Sequence, residues 1–417
     1  MRILYVAGEN PAVEAILNGM DTEGLSGLPA FYHPFRILLE RGHEIDLLLY
    51  TREKKTLRES RYFHKRNLIQ VCARGRLPLS LEYLLQMSSA AKKLLSRRHY
   101  DFVYGMSEGA HPVLIQAVKR GIPCGLRQFG TQEMADVLEG KKTMAARYLT
   151  AFRDYTYITL SMFSRKNFIL ATNDGSRADR IYDLLGVREK KFDFFFWRSG
   201  VEIPAVRPLP DLGDPAAYPA AFDSMALSMV NRVAEVKRQD RAVRILGELH
   251  RRGFPFHLYL VGTIDSRKMY QAAMEAADEY GIRDYVHFEG EKSQKECRMY
   301  ARNSLATLLP CQWNRVNVFY EVMGEGALVL TNDNHSIDEF IEDGVNCLVY
   351  EEDNFGQAAE KLIAASQDHL LTERIRCDAH RTAAARFMSI EKRFGLEADL
   401  VEASAGGRDL SGFPPVL

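Results

Sequence analysis

Short apolar runs alternate with helix-period stretches along the whole chain, and the alternation stops once and then starts again. In the first half RILYVAG (2–8), EIDLLLY (44–50), LIQVCA (68–73), DFVYGM (101–106), PCGLRQFG (123–130) and FILATND (168–174) read as strands. Between them, stretches such as FYHPFRILLERGH and HPVLIQAVKRG carry apolar residues at helical spacing. Strands separated by helices run parallel, with helices packed on both faces of the sheet. Residues 203–224, IPAVRPLPDLGDPAAYPAAFDS, hold five prolines and little periodicity, as a linker does. The alternation resumes with MALSMVNRV, AVRILGELHRRG, FHLYLVG, MYQAAMEAADEYG, YVHFEG, SLATLLP, ALVLTND and CLVY. The expected fold class is therefore α/β, two doubly wound Rossmann-like domains facing across a cleft. The expected domains are 1–202, a linker 203–224, 225–385, and a C-terminal helix and tail 386–417 crossing back to the first domain. ASAGGRDLSGFPPVL, at the end, reads as a frayed tail. Ligands of such sheets bind outside the carboxyl ends of the strands.

The formal net charge is zero, but it is unevenly spread. Residues 1–204 hold 31 Lys and Arg against 22 Asp and Glu, and the remainder 24 against 33. A basic first half fits a membrane surface or a phosphate-bearing partner, and equally a set of solvated helix faces. TREKKTLRESRYFHKRN (51–67) concentrates seven of these cations around Tyr62 and Phe63, as a segment resting on anionic lipid would. Nucleic acid fits less well, since the second half is acidic and no nucleic-acid motif occurs. RYLTAFRDYTYITLSMF (147–163) reads as mostly a core helix. Six scattered cysteines without ligand spacing fit free thiols in a reducing compartment. MRILYVAGEN is too short for a secretory signal, and no run of about 18 apolar residues occurs. The expected location is cytoplasmic, with peripheral membrane contact through the basic half.

Three weak signals carry chemistry. In NRVAEVKR (231–238) a strand ends in Arg232 and Lys237 follows just before a helix. Two fixed cations at such a turn suit a nucleotide diphosphate, although a solvated pair at a helix start looks the same. In WNRVNVFYEVMGEG (313–326) Glu321 lies early in a helix whose first N–H groups are unpaired and attract phosphate or sugar oxygens. A carboxylate there can accept two hydrogen bonds from a ribose diol, or simply complement the helix dipole. In GLSGLP (24–29), Gly24 and Gly27 permit close backbone approach to phosphates, but the spacing is not G-x-G-x-x-G. No P-loop, G-x-S-x-G or H-E-x-x-H motif occurs.

The order of these signals is more specific than any one of them. M-R-I-L-x-V, a glycine loop, LLERGHEIDLL, R-x4-K after a strand, LYLVG, VHFEG, EVMGEGALVLTND and IEDGVNCLVY follow one another. This order resembles the retaining glycosyltransferases of the GT-B fold, family 4, over nearly the whole chain and most strongly over 226–360. The family usually shows G-R-L-x-x-x-K-G, E-A-M-A-x-G-x-P-V and I-x-D-G-x-N-G at the corresponding places. The resemblance implies that Arg232 and Lys237 hold the donor diphosphate and act as the catalytic cations. It implies that Glu321 binds the ribose and that Asn317 and Val318 offer backbone amides. It also implies that Gly24 and Gly27 close over the donor, and that Gly262 lets the base lie against the backbone. WRSGVE (197–202) stands where the family commonly has N-G-V-D, near the domain crossover.

Two departures concern the sugar. The family typically has a Glu eight positions before Glu321, where this chain has Trp313. It often has His-Gly after a first-domain strand, where this chain has Phe129-Gly130 beside Arg127, Gln128 and Thr131. The first domain of such enzymes mostly binds the acceptor, which makes Asp21, Glu23, Glu108 and His111 acceptor-side candidates.

The implied reaction moves a sugar, from a UDP-sugar or another nucleotide diphosphate donor, to a hydroxyl of a saccharide, lipid-linked saccharide or small metabolite. No Asp-x-Asp occurs, so the expected chemistry is metal-independent and the nucleotide-sugar is a co-substrate, with no further cofactor. The leaving diphosphate itself can take the acceptor's proton on the same face, while the protein supplies position and charge stabilisation. Two rivals remain: a non-catalytic nucleotide-sugar-binding partner of another transferase, and a GT-B nucleotide-sugar 2-epimerase.

Overall fold

A computed structural model describes residues 1–8, 29–51, 67–75, 79–129, 140, 156, 158–175, 178–184, 192–208, 225–312, 317–334 and 337–417. The chain divides into two compact units. Unit 1 comprises residues 1–199 with 390–417, and unit 2 comprises 200–389.

In unit 1 the described strands are β1 (Arg2–Gly8), β2 (Glu44–Thr51), β3 (Leu68–Cys72), β4 (Phe102–Met106), β5 (Cys124–Gln128), β6 (Asn167–Thr172) and β7 (Asp193–Trp197). They form one parallel sheet in the order β3-β2-β1-β4-β5-β6-β7. Successive residues point to opposite faces, and both faces are buried, as parallel sheets require. Ile3, Tyr5 and Ala7 face α1 (Pro29–Glu40) and the late helix α11 (Ile390–Ala405). Leu4 and Val6 face α2 (Leu79–Arg97), α3 (His111–Val118) and α4 (Ala178–Leu184).

β7, DFFFW, carries no strand signal beyond its aromatic run and went unread in the sequence. The expected frayed tail is instead docked beside it. Phe196 N–H donates to the Pro415 carbonyl at 2.8 Å, Leu417 N–H to Phe196 at 3.1 Å, and Arg198 N–H to Leu417 at 2.9 Å. The Trp197 indole donates to the Pro414 carbonyl at 2.6 Å, and Phe413 packs edge-on to Phe195. Two prolines are tolerated here because an outermost strand has N–H groups that no further strand needs.

Unit 2 repeats the plan with β8 (Ala226–Val230), α5 (Gln239–Arg251), β9 (His257–Val261), α6 (Arg267–Tyr280), β10 (Val286–Gly290), α7 (Gln294–Asn303), β11 (Ala306–Leu309), α8 (Asn317–Gly324), β12 (Val329–Asp333), β13 (Leu348–Glu351), α9 (Phe355–Gln367) and α10 (His369–Arg386). Its parallel sheet runs β10-β9-β8-β11-β12-β13. Helix ends follow their sequence signals. Ser293 and Glu296 form a reciprocal capping box on α7, and Gly281 closes α6 in the left-handed conformation.

In each sheet the winding direction reverses once, between β1 and β4 in unit 1 and between β8 and β11 in unit 2. The carboxyl ends at these reversals are where an open α/β sheet leaves a crevice.

Candidate functional site

Arg232 and Lys237 both follow β8, at the reversal in unit 2. The loop is tied down on both sides. Asn231 N–H donates to Val261 at 2.9 Å, and Gln312 N–H, just past β11, donates to the Val236 carbonyl at 3.0 Å. The buried Gln239 amide donates to the Arg232 carbonyl at 3.0 Å. Arg232 is exposed and pairs with Asp265 at 2.8 Å. Partial burial pushes the Asp265 carboxyl up, but hydrogen bonds from Arg232 and Thr263 win and hold it below the ordinary aspartate value. An exposed pair of this kind is worth about 0–1 kcal/mol, so Asp265 orients the guanidinium without withholding it from a stronger anion. Among the described residues Lys237 has no ion-pair partner.

Arg238 explains one departure from the resembled motif. It adopts φ 60° and ψ 54°, a left-handed conformation that glycine takes without strain. Its guanidinium grips both oxygens of Asp240 at 2.9 and 2.8 Å, which holds the turn. Gly262 has φ 146°, and a Cβ there would lie 2.4 Å from the Asn231 carbonyl oxygen. The glycine is therefore required by the close passage of β8, whatever else lies against it.

Glu321 sits in the second turn of α8. Phe319, Tyr320, Val322 and Met323 bury the other side of this short helix. The Tyr320 hydroxyl donates to Asp338 at 2.5 Å, and His380 Nδ1 lies 2.6 Å from the Gly324 carbonyl. Asn317, Val318 and Glu321 are left half-buried. The Glu321 carboxylate makes no hydrogen bond among the described residues. Burial pushes it up from the ordinary glutamate value; Arg298 pulls it down, and Glu325 and Glu202 push it further up.

Of the unit 1 candidates, Glu108 and Gln128 are brought together and Arg127 and His111 are not. The Gln128 side-chain amide donates to Glu108 at 2.6 Å, and the Tyr182 hydroxyl donates to the Gln128 side-chain oxygen at 3.3 Å. Burial pushes the Glu108 carboxyl up, against hydrogen bonds from its own backbone N–H and from Gln128. Ser107, just before it, has φ 56° and ψ −174°, a region essentially reserved for glycine. Phe129 is half-buried under the Arg127 guanidinium, 5.7 Å from its ring centroid.

Arg127 points to the opposite face of β5. It is fully buried and bonded to Glu397 at 2.8 Å, so it has no surface to offer a ligand. His111 is buried against Thr156 at 3.2 Å, and burial pushes its imidazole down to about 4, which keeps it neutral. Asp21, Glu23, Gly24, Gly27 and Trp313 lie outside the described residues.

Asp265, Arg298, Glu202 and Glu325 were not singled out from the sequence. The four-residue spacings of Arg298 with Arg302 and of Glu321 with Glu325 were the available signal. No group of three His, Cys, Asp or Glu side chains that could hold a metal ion occurs among the described residues. A cavity of about 650 Å³ between Glu339–Asn346 and the end of α10 contains none of the candidate residues.

Residues 220–382 match the family model for glycosyl transferases group 1. That span includes Arg232, Lys237, Gly262 and Glu321. No curated protein sequence matches the chain. Solved structures resemble it over nearly its full length. Sucrose-phosphate synthase from Thermosynechococcus elongatus is 12% identical, with TM-score 0.70 over 97% of this chain and 99% of its own. WaaG, a glycosyltransferase involved in lipopolysaccharide biosynthesis, is 18% identical, with TM-score 0.65 over 96% and 99%. Anabaena HepE in complex with UDP-glucose is 13% identical, with TM-score 0.60 over 97% and 100%. At these identities the likeness establishes the fold, two parallel α/β sheets of the GT-B kind. Among the described residues, no helix is long and apolar enough to cross a membrane.

Proposed function

We propose that this protein is a retaining, metal-independent glycosyltransferase of the kind grouped as family 4. It would transfer a sugar from a nucleotide diphosphate, a UDP-sugar first among them, to an acceptor hydroxyl. The observation that carries the reading is the grouping in unit 2. Arg232 and Lys237, the latter without an ion-pair partner among the described residues, follow β8; Glu321, without a hydrogen bond among those residues, lies on the first helix after β11, on the other side of the sheet reversal.

The division of labour follows from charge. A diphosphate brings two negative phosphates, which a planar guanidinium and a compact ammonium can neutralise together. The same two cations stabilise the charge that grows on the leaving phosphate as the glycosidic bond breaks. The acceptor hydroxyl attacks the anomeric carbon from the face the diphosphate leaves, and its proton passes to the departing phosphate oxygen, so no enzyme nucleophile is needed. The first amides of α8, which have no acceptor among the described residues, would meet a phosphate or sugar oxygen. Glu108, just after β4 and held by Gln128 of β5, is the described unit 1 candidate carboxylate that would receive an acceptor hydroxyl.

The family model, whose description names glycosyl transferases, supports the reaction class, and the UDP-glucose complex of the similar HepE fold supports the donor class. The acceptor is a saccharide, a lipid-linked saccharide or a small metabolite. The exposed Leu81 and Leu85 on α2, with Lys92, Lys93 and Arg97 further along it, favour an acceptor met at an anionic lipid surface. Sedimentation with anionic vesicles, but not neutral ones, is the expected result; equal recovery with both refutes the membrane contact. A second reading, a non-catalytic nucleotide-sugar-binding partner, draws support from Phe129 and Trp313 at positions where the family is polar.

The test is calorimetry with UDP, preceded by a metal-free thermal-shift screen of UDP-, GDP-, ADP- and dTDP-sugars. Arg232→Ala and Glu321→Gln should each weaken nucleotide binding by about tenfold or more, the loss of one charge-assisted hydrogen bond, with the fold intact. Unchanged affinity in both refutes the site. Donor binding without sugar release, with or without acceptor, favours the non-catalytic reading.

A further inference from the structure

Behind Glu321 lies a second layer of charge that the donor site as described does not use. α7 carries Arg298 and Arg302 one turn apart, packed against α8. Glu321 on α8 and Glu325 in the turn after it have the same spacing. Two cations on one helix thus meet two carboxylates from the next.

The four groups are not paired evenly. Glu325 is almost fully buried and is bonded by Arg302 at 2.5 Å, while Arg298 Nε stands 3.8 Å from its other oxygen. Arg302 is thereby committed to Glu325. Arg298 is the one described cation acting on Glu321, and its Nε is buried without a hydrogen-bond partner. Among the described residues, the other groups facing Glu321 all oppose its charge or are neutral. They are Glu325 from the α8 turn, Glu202 from the segment entering unit 2, and the Cys297 thiol on α7, which burial pushes up to about 11. Glu321 and Glu325 therefore stand against Arg298 and Arg302, with Arg302 already taken by Glu325, in a setting where an uncompensated charge is costly.

We propose that Arg298, braced by Glu325, is a positioning residue for the donor. Its guanidinium supplies the positive charge that lets half-buried Glu321 present a carboxylate, rather than a carboxylic acid, to the two ribose hydroxyls. This rests on the donor reading above and adds a residue that touches no ligand. A carboxylate accepts hydrogen bonds from both hydroxyls, whereas a protonated acid has one acceptor oxygen fewer and an O–H that must itself find a partner. Without Arg298, burial together with Glu325 and Glu202 would favour the protonated form at higher pH.

The experiment compares UDP with 2′-deoxy-UDP by calorimetry, from mildly acidic to mildly alkaline pH. The proteins are the wild type, Arg298→Gln, Arg298→Met, Arg298→Lys and Glu321→Gln. Removing one ribose hydroxyl should cost the wild type about tenfold in affinity. Arg298→Gln and Arg298→Met should close most of that gap at neutral pH and reopen it at alkaline pH, where Glu321 ionises without help. Arg298→Lys should keep the gap. Phosphate-only contacts, read from the affinity for inorganic pyrophosphate at each pH, should stay within about twofold across the variants.

If the Gln and Met variants lose UDP and 2′-deoxy-UDP affinity equally at every pH, or keep the gap at neutral pH, the proposal is overturned. It is also overturned if neither variant folds, since Arg298 is then a stability residue. Should Glu321→Gln leave the gap intact, the ribose reading itself fails, whatever Arg298 does.

Discussion

Glu397 is the most consequential buried carboxylate of unit 1. It lies on α11 and is fully buried, as is Arg127, with Arg393 nearly so. One oxygen accepts from the Tyr104 hydroxyl at 2.6 Å; the other accepts from Arg127 at 2.8 Å and Arg393 at 3.0 Å. Arg393 also donates to the Arg198 carbonyl at 2.6 Å and stacks over Trp197. Two guanidinium groups therefore share one carboxylate, and burial pushes Arg393 down to about 10.

Glu397→Leu leaves both cations uncompensated in the core. Breaking a buried pair from one side typically costs about 3–5 kcal/mol, which for a unit of this size corresponds to about 6–20 °C in Tm. The assay is urea unfolding followed by probes in each unit, because two units need not unfold together. The Trp197 fluorescence transition should move, while a unit 2 probe stays put. Arg127→Met combined with Glu397→Leu should recover part of the loss, since one of the stranded charges goes with its partner. A Glu397→Leu shift below about 1 kcal/mol, within the range of an ordinary exposed pair, refutes the reasoning.

Two further outcomes follow from backbone features. Deleting residues 413–417 removes Phe413 from the core and four hydrogen bonds at the β7 edge, and should destabilise unit 1 by about 3 kcal/mol in the same urea assay. An unshifted midpoint means the tail does not hold that edge. Ser107→Gly should raise the unit 1 midpoint by about 1 kcal/mol, because glycine accepts the conformation that strains serine. A loss of stability, the usual result of glycine in a relaxed position, counts against strain there.

The parallel α/β plan was legible because both sheets are buried on two faces. Runs such as RILYVAG and FHLYLVG are therefore apolar throughout and bounded by helical periods. β7 was missed because its aromatic run lies next to a segment the resemblance had already assigned to the crossover. The docked tail was missed for a different reason: its proline and glycine content reads locally as coil, and only an unpaired strand edge supplied by distant residues makes it regular.

The candidate site was legible where chemistry sits close in sequence, as with Arg232 and Lys237 on one turn. Arg127 shows the limit. A strand residue can face either side, and sequence alone did not reveal that its side chain turns towards a glutamate 270 residues away. Gln128, its neighbour, points the other way and reaches Glu108. Arg298 was invisible because its role depends on how α7 lies against α8.

Unit 2 is one uninterrupted stretch, but unit 1 is not: residues 390–417 complete it after all of unit 2 has been made. A ribosome that has released β5 has exposed Arg127 long before Glu397 exists, and β7 waits equally long for the tail beside its edge. Synthesis order and assembly order therefore run opposite to each other in this chain, with the later unit able to close first while the earlier one waits with an unpaired charge in its sheet. Stalled nascent chains ending near residue 389 should show unit 2 resisting protease while unit 1 is still cut. Protection of both would mean that the first 199 residues hold together without the helix that neutralises them.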